Sequence, residues 1–218
     1  MINYAPTPGR EEEAMKVTAL KTMSYAAAIA CLALVTAGVG RAQSGSAVNV
    51  LITDDVYQVN YFANNVAAAP DQTVRIDNPG LTYGNLCAMI YVYDNDQQLS
   101  ECCGCVETHN GLRTLSIKND LTKNPLTGVV SNNGVVKIVA ALPNAAPCDP
   151  TSNVVAASNL RAWATHVQAV SSTAYSITET NFQPSTLGIS ELAALQQQCA
   201  FIHILGSGNG ICTCGTGD

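Results

Sequence analysis

Cysteine placement constrains the fold of this chain more than any other feature of its sequence. Eight of the nine cysteines lie beyond residue 42, and they cluster in the stretch ECCGC at 101–105 and in a terminal Cys-x-Cys segment. An even number of cysteines in an oxidising compartment predicts disulfides, whereas a reducing compartment favours metal binding or catalysis. The eight candidates are Cys87, Cys102, Cys103, Cys105, Cys148, Cys199, Cys212 and Cys214.

The N-terminal sequence predicts that the chain is exported. Lys16 and Lys21 precede an apolar run over residues 26–39, and small residues then lead to Ala42. A basic start, an apolar core and a small-residue cleavage site are the three parts of a secretory signal peptide. The acidic lead does not suit such a start, so we expect translation to begin at Met15.

Cleavage after Ala42 divides the chain into an N-terminal extension with signal peptide, 1–42, and one domain, 43–218. Lipid attachment at Cys31 is the weaker alternative, because Ala28 stands where lipoprotein signals carry an aliphatic residue. The localisation predicted by this division is secreted, periplasmic or at the cell surface.

Charge and hydropathy exclude several classes of partner for residues 43–218. This region carries six basic against thirteen acidic side chains and has no basic run, which disfavours nucleic-acid binding. It contains no apolar stretch of membrane-spanning length, so we expect no transmembrane segment in the mature chain. No motif predicts a cofactor.

Short apolar runs separated by turn residues predict a mainly β domain. Asn110-Gly111 and Asn133-Gly134 are hairpin signals. One helix is predicted from Ser190 as N-cap to Leu205, with Gly206 ending it. We therefore expect an antiparallel β-sandwich, immunoglobulin-like or related, with one C-terminal helix over 190–205 and a Cys-x-Cys tail. The candidate strands are 47–53, 56–62, 73–76, 86–93, 112–118, 134–142, 161–170 and 173–180.

Strand geometry suggests how some of the cysteines pair. If 101–106 is extended, Cys103 and Cys105 point to one face, and so do Cys212 and Cys214, so that two disulfides could join the two segments. Cys102 would then bond to one of the three remaining cysteines. A zinc or iron–sulfur site is the alternative, but a Cys-x-Cys pair does not have the spacing common in tetrahedral thiolate sites. We predict four disulfides and no metal.

Candidate ligand-binding residues are few. Trp163 with Tyr91 and Tyr93 could form a sugar-stacking platform, although a single tryptophan in a sandwich strand is more often part of the core. His166 alternates with Trp163 on its strand and is predicted to face solvent. No local grouping of serine, histidine and acid suggests catalysis, and Asp94-Asn95-Asp96 is predicted to be a polar hairpin tip.

Three segments resemble a group of short exported bacterial proteins of uncharacterised activity. These are LCAMIYVYDNDQQLSECCGC, THNGLRTLSIKNDLTKNPLTG and CAFIHILGSGNGICTCGTGD, which carry an E-C-C-x-C element and a terminal C-x-C-G motif. The resemblance implies export and a shared cysteine framework, but it implies no activity and no catalytic residues.

The sequence as a whole predicts an exported, non-catalytic structural, adhesive or assembly module. A carbohydrate-binding module is one alternative, and an exported metal-binding protein that uses the cysteine-rich segments is another. The expected partner is a cell-surface glycan or protein.

Overall fold

The computed structural model describes residues 55–64, 66–81, 84–143, 148–152 and 155–214. The predicted extension and signal peptide, 1–42, and the predicted strand 47–53 lie outside the described residues. The strands are β1 Tyr57–Ala63, β2 Thr73–Asp77, β3 Leu86–Asp94, β4 Leu99–Glu107, β5 Leu112–Ser116, β6 Asn133–Ala141, β7 Arg161–Ala169, β8 Tyr175–Asn181 and β9 Gln183–Pro184. The helices are α1 Ile117–Asp120 and α2 Ile189–Leu205.

The described strands form two sheets, which confirms the predicted mainly β architecture. Sheet 1 has the order β4-β3-β6-β1-β9, and sheet 2 has the order β5-β2-β7-β8. Every pairing between neighbouring strands is antiparallel. The inner faces of the two sheets share one apolar core, to which Phe62, Ile76, Ile90, Leu115 and Ile138 contribute.

Strand β3 is buried along most of its length because sheet 1 is covered on both faces. Ile90 and Val92 face the core between the sheets, while Met89 and Tyr91 face α2 on the outer side. A strand buried on two faces needs apolar residues at successive positions, which explains the uncharged run CAMIYVY. The sequence-based prediction of a covered central strand is confirmed.

Helix α2 covers the outer face of sheet 1 through Leu195, Cys199 and Ile202, which are almost fully buried. Gly206 ends the helix with φ of 63°, a left-handed conformation that glycine adopts without strain. The predicted N-cap at Ser190 is wrong, because the helix begins after Gly188 and has no side-chain cap. None of the described helices has the length and apolar character needed to cross a lipid bilayer.

The segment predicted as a single strand over 112–118 divides into β5 and α1. Ser116 is the N-cap of α1 and its hydroxyl accepts a hydrogen bond from the backbone N–H of Asn119, at 2.9 Å. Side chains of this type favour helix starts because they satisfy an N–H that has no partner within the helix. The local cap therefore ends the strand two residues earlier than its apolar alternation suggests.

Candidate functional site

All eight cysteines after residue 42 form disulfides. The pairs are Cys87–Cys148, Cys102–Cys199, Cys103–Cys212 and Cys105–Cys214. The last two pairs join the ECCGC stretch to the terminal Cys-x-Cys segment as two neighbouring rungs. This arrangement follows from the strand alternation, since β4 directs alternate side chains to opposite faces. Cys102, on the other face, bonds to the helical cysteine.

Backbone hydrogen bonds also align the tail with β4. Cys102 donates its N–H to the carbonyl of Gly210 at 2.9 Å, and Cys212 donates to the carbonyl of Cys102 at 3.3 Å. Ile211 and Cys102 form a parallel bridge. The tail thus covers the edge strand of sheet 1, where unpaired backbone groups would otherwise be open to other chains.

Two sulfur clusters have metal-like spacing but no free thiolate. The Sγ atoms of Cys103 and Cys105 are 3.9 Å apart, and His203 Nε2 lies 3.8 Å from Cys199 Sγ. Zinc and iron–sulfur sites bind the deprotonated thiolate. Because each of these sulfurs is bonded to another sulfur, the clusters in this state cross-link the chain and do not supply thiolate ligands to a metal.

Two carboxyl groups are buried on β4, next to the disulfides. Glu107 accepts a hydrogen bond from Arg113 Nε at 2.7 Å, yet burial raises its pKa to about 7. Glu101 is only 2% exposed, and burial raises its pKa to about 8, although the backbone N–H and the charge of Lys123 act against that rise. Its Oε2 has no hydrogen-bond partner in the described part of the chain. A protonated Glu101 explains how this group is tolerated at neutral pH.

His166 is buried, so the prediction that it faces solvent is wrong. Its ring is 2% exposed, stacks on Tyr61 with ring centroids 4.3 Å apart, and contacts Thr180 Oγ1 through Nε2 at 2.7 Å. Burial lowers its pKa, so the neutral imidazole is favoured.

The pairing of His166 with Thr180 resembles a base beside a hydroxyl nucleophile, but the hydrogen bonds oppose that use. Asn60 Nδ2 also donates to Thr180 Oγ1, at 3.1 Å. Among the described residues, His166 Nδ1 has no hydrogen-bond partner, whereas a catalytic histidine is oriented by a third group at that nitrogen. Leaving Nδ1 unprotonated avoids a buried, unpaired N–H, and Nε2 then donates its proton to Thr180 instead of accepting one.

The three predicted aromatic candidates do not form one platform. Tyr91 is fully buried below α2, where its hydroxyl donates to the carbonyl of Pro150 at 2.8 Å. Tyr93 is also on this side of sheet 1; its hydroxyl donates to Gln198 Oε1 at 2.6 Å, and burial raises its pKa to about 12. Trp163 is on β7 in sheet 2. Tyr93 therefore bonds the sheet to the helix and Tyr91 bonds it to the loop at 148–152, so that Trp163 is left as the single one of the three for ligand contact.

Trp163 lines a surface cavity of about 280 Å³, here called the tryptophan cavity. It pairs across strands with Arg75 on β2 and with Asn181 on β8. Arg161, two residues before it, forms an ion pair with Asp55 at 3.0 Å at the same cavity. Small-ligand sites usually combine apolar or aromatic walls with a few polar groups, and in this cavity most of the lining residues are polar, which suits a polar ligand. The cavity is lined by Asp55, Gln58, Arg161, Ala162, Trp163, Asn181, Phe182, Gln183 and Pro184.

A second surface feature lies between the C-terminal half of α2, the β3–β4 turn and the loop at 124–126. This groove of about 480 Å³ includes the exposed side chains of Phe201 and Leu126. Beside it, a cavity of about 550 Å³ is lined by the predicted polar hairpin tip, Asp94-Asn95-Asp96, which the structure confirms as the β3–β4 turn. The groove mixes aliphatic and amide groups and defines no single ligand chemistry.

Comparisons with known proteins return no match to this chain among protein-family models, curated proteins or solved structures.

Proposed function

We propose that this chain is an exported, non-catalytic module that presents a rigid surface outside the cytoplasm in a structural, adhesive or assembly role. The observation that carries the proposal is the covalent framework on β4. Three consecutive disulfides bond this one strand to α2 and to the tail. Disulfides of this density persist in oxidising compartments and are rare in the cytosol.

The disulfide framework suits a protein that must stay folded where no chaperones refold it. The three β4 disulfides close loops of 97 and 109 residues. Cross-links of such separation each remove about 4 to 5 kcal/mol of chain entropy from the unfolded state when they are the first to form. The bonds also anchor the last described residues, which would otherwise fray.

Export and thiol state can be tested together by intact mass spectrometry of the native protein, with and without reductant. We expect a chain that begins at Gln43 and has the mass of four disulfides, recovered outside the cytoplasm by cell fractionation. A native protein that keeps its leader and has free, titratable thiols would contradict the proposal and restore metal binding as an explanation.

The non-catalytic part of the proposal needs a separate test, because Thr180 and His166 are in hydrogen-bond contact. Purified protein is incubated with glycan, ester and peptide substrates, and the panel is repeated with Thr180→Val and His166→Gln. We expect no turnover above buffer. Turnover that either substitution abolishes would show that the chain is an enzyme.

Carbohydrate binding is the second candidate function. It is favoured by one observation, the tryptophan cavity with its ion pair and amide side chains.

A further inference from the structure

The tryptophan cavity has two walls that the fold holds in place. One wall is β7, which supplies Arg161 and Trp163. The other is the crossover 181–184, where the chain passes from β8 in sheet 2 to β9 in sheet 1. This crossover is fixed at its centre by the hydrogen bond from Phe182 N–H to the carbonyl of Ala162, at 2.9 Å.

The far end of the crossover is fixed as well. Gln183 and Pro184 pair with Val59 and Gln58 on β1, which is itself paired along its length with β6. A ligand that entered the cavity would therefore meet β7 and the crossover as fixed walls, while Asp55, in the turn before β1, is held by its ion pair with Arg161. Such preorganisation lowers the entropic cost of binding.

The polar groups of the cavity offer both hydrogen-bond donors and acceptors. The ion pair of Arg161 with Asp55 uses one guanidinium nitrogen and one carboxylate oxygen, and the two side chains remain 45% and 34% exposed. A guanidinium has five N–H donors and a carboxylate has two acceptor oxygens, so both retain capacity for a ligand. Gln183 donates through Nε2 to the carbonyl of Asn181, at 3.2 Å, which leaves its amide oxygen as an acceptor.

We propose that the tryptophan cavity binds a neutral glycan, with Trp163 against a sugar ring and Arg161, Asp55 and Gln183 bonded to its hydroxyls. A sugar hydroxyl both donates and accepts, and neighbouring hydroxyls match the two-pronged geometry of guanidinium, carboxylate and amide groups. The apolar C–H face of a pyranose matches an indole ring, which combines an apolar body with a polar edge. The inference rests on the proposed exported role. It deepens the second candidate function, carbohydrate binding, by naming the class of ligand and the residues that contact it.

Charge selects a neutral sugar over an acidic one. The opposite charges of Arg161 and Asp55 cancel within the cavity, so a neutral sugar leaves their ion pair undisturbed, whereas an added carboxylate or phosphate would compete with Asp55 for Arg161. The volume of about 280 Å³ accommodates a single sugar unit, with the rest of the glycan outside.

The test exploits the fact that Trp163 is the only tryptophan in the chain. The purified, oxidised protein is first applied to an array of immobilised neutral and uronate- or sialate-containing oligosaccharides. The best neutral ligand is then titrated by calorimetry and by tryptophan fluorescence. We expect selective binding of neutral glycans, a fluorescence change that saturates with the calorimetric Kd, and protection of the indole from iodide quenching.

Matched variants locate the site. We expect Trp163→Ala and Asp55→Ala each to weaken binding by about tenfold or more, which corresponds to the loss of one good contact. Phe201→Ala is the control, because this exposed aromatic residue lies on α2 and does not line the cavity. It should bind within about twofold of wild type. If Trp163→Ala does not fold, the location of the site is tested by two other measurements: the protection of Trp163 from iodide quenching in the wild-type protein, and the affinity of Asp55→Ala.

Three results would overturn the inference: no glycan bound on the array, preference for acidic glycans, or binding that neither cavity variant alters. None of these would affect the proposed exported role, which depends on the fractionation and mass measurements. Retained leader and free thiols would refute that role even if the cavity bound sugar.

Discussion

Glu101 should make this protein less stable as the pH rises from about 4.5 to about 8. In the folded chain, burial raises the pKa of this carboxyl from 4.5 to about 8. Below pH 4.5 both the folded and the unfolded chain hold the proton, and stability is at its full value. Between the two pKa values the unfolded chain releases the proton while the folded chain keeps it, so rising pH favours unfolding. Above pH 8 both forms are ionised and the loss levels off.

The size of this effect follows from the width of the window. Each pH unit between the two pKa values costs about 1.4 kcal/mol of unfolding free energy, so that Glu101 alone accounts for a loss on the order of 5 kcal/mol. Glu107 adds a smaller loss of the same sign up to about pH 7, because burial outweighs its bond to Arg113. A loss of several kcal/mol is a large share of the stability of a single domain.

Glu101→Gln removes the titration while keeping the shape of the side chain. We expect its free energy of unfolding to exceed that of wild type at pH 8 by several kcal/mol and to be close to wild type at pH 4.5. The measurement is guanidinium unfolding of the oxidised protein at half-unit steps from pH 4.5 to 8.5, followed by Trp163 fluorescence. Glu179→Gln, an exposed carboxyl on β8, is the control and should keep the wild-type slope. Equal slopes for wild type and Glu101→Gln would refute the reasoning.

Three further predictions concern packing and cross-links, and guanidinium unfolding measures each. Replacing Cys105 and Cys214 together with alanine should cost only about 2 kcal/mol plus lost packing, because the neighbouring rung still closes the long loop; a cost near 5 kcal/mol would show that the rungs act independently. Tyr91→Phe should cost about 1 kcal/mol or more by leaving a buried carbonyl without its hydroxyl donor, and an unchanged midpoint would mean that water replaces it. Gly104→Ala should cost about 3 kcal/mol or more because the new Cβ would lie 2.1 Å from a backbone oxygen, whereas Gly188→Ala, with no atom closer than 3.8 Å, should cost only about 1 kcal/mol or less for a weaker helix N-cap.

The strand pattern and the two disulfide rungs could be predicted because each depends on local periodicity. Turn residues bounded the strands within a few positions, and alternation placed Cys103 and Cys105 on one face. The extended form of β4 was assumed for that pairing and was not itself predicted, since ECCGC has little intrinsic strand preference. Its extended form is imposed by pairing with β3 and by its bonds to the tail.

The orientation of β7 could not be predicted from its own residues. The alternation ATHV allows either face inward, and a shift of one position exchanges the two. The structure turns Ala162 and Ala164 to the core, so His166 follows them inside and Trp163 lies on the opposite face. Small alanines on the inner face leave room for the large side chains of sheet 1, a tertiary effect with no local signal.

No sequence pattern predicts the tryptophan cavity or the burial of Glu101. The cavity joins Asp55 to residues more than a hundred positions later, and no spacing rule connects them. Glu101 is enclosed by the loop at Lys123, which is more than twenty residues away along the chain, so nothing within the ECCGC stretch indicates its burial.

The separation of the bonded cysteines sets an order of maturation during synthesis. Cys87 can meet Cys148 once 61 further residues have emerged, but the three thiols of β4 must wait for partners 97 to 109 residues later. Throughout that interval they stand side by side in a growing chain, where premature exchange with Cys87 or Cys148 competes with correct pairing. Thiol-isomerase activity would correct such mispairing, so supplying it during expression should raise the yield of protein with the four native pairs.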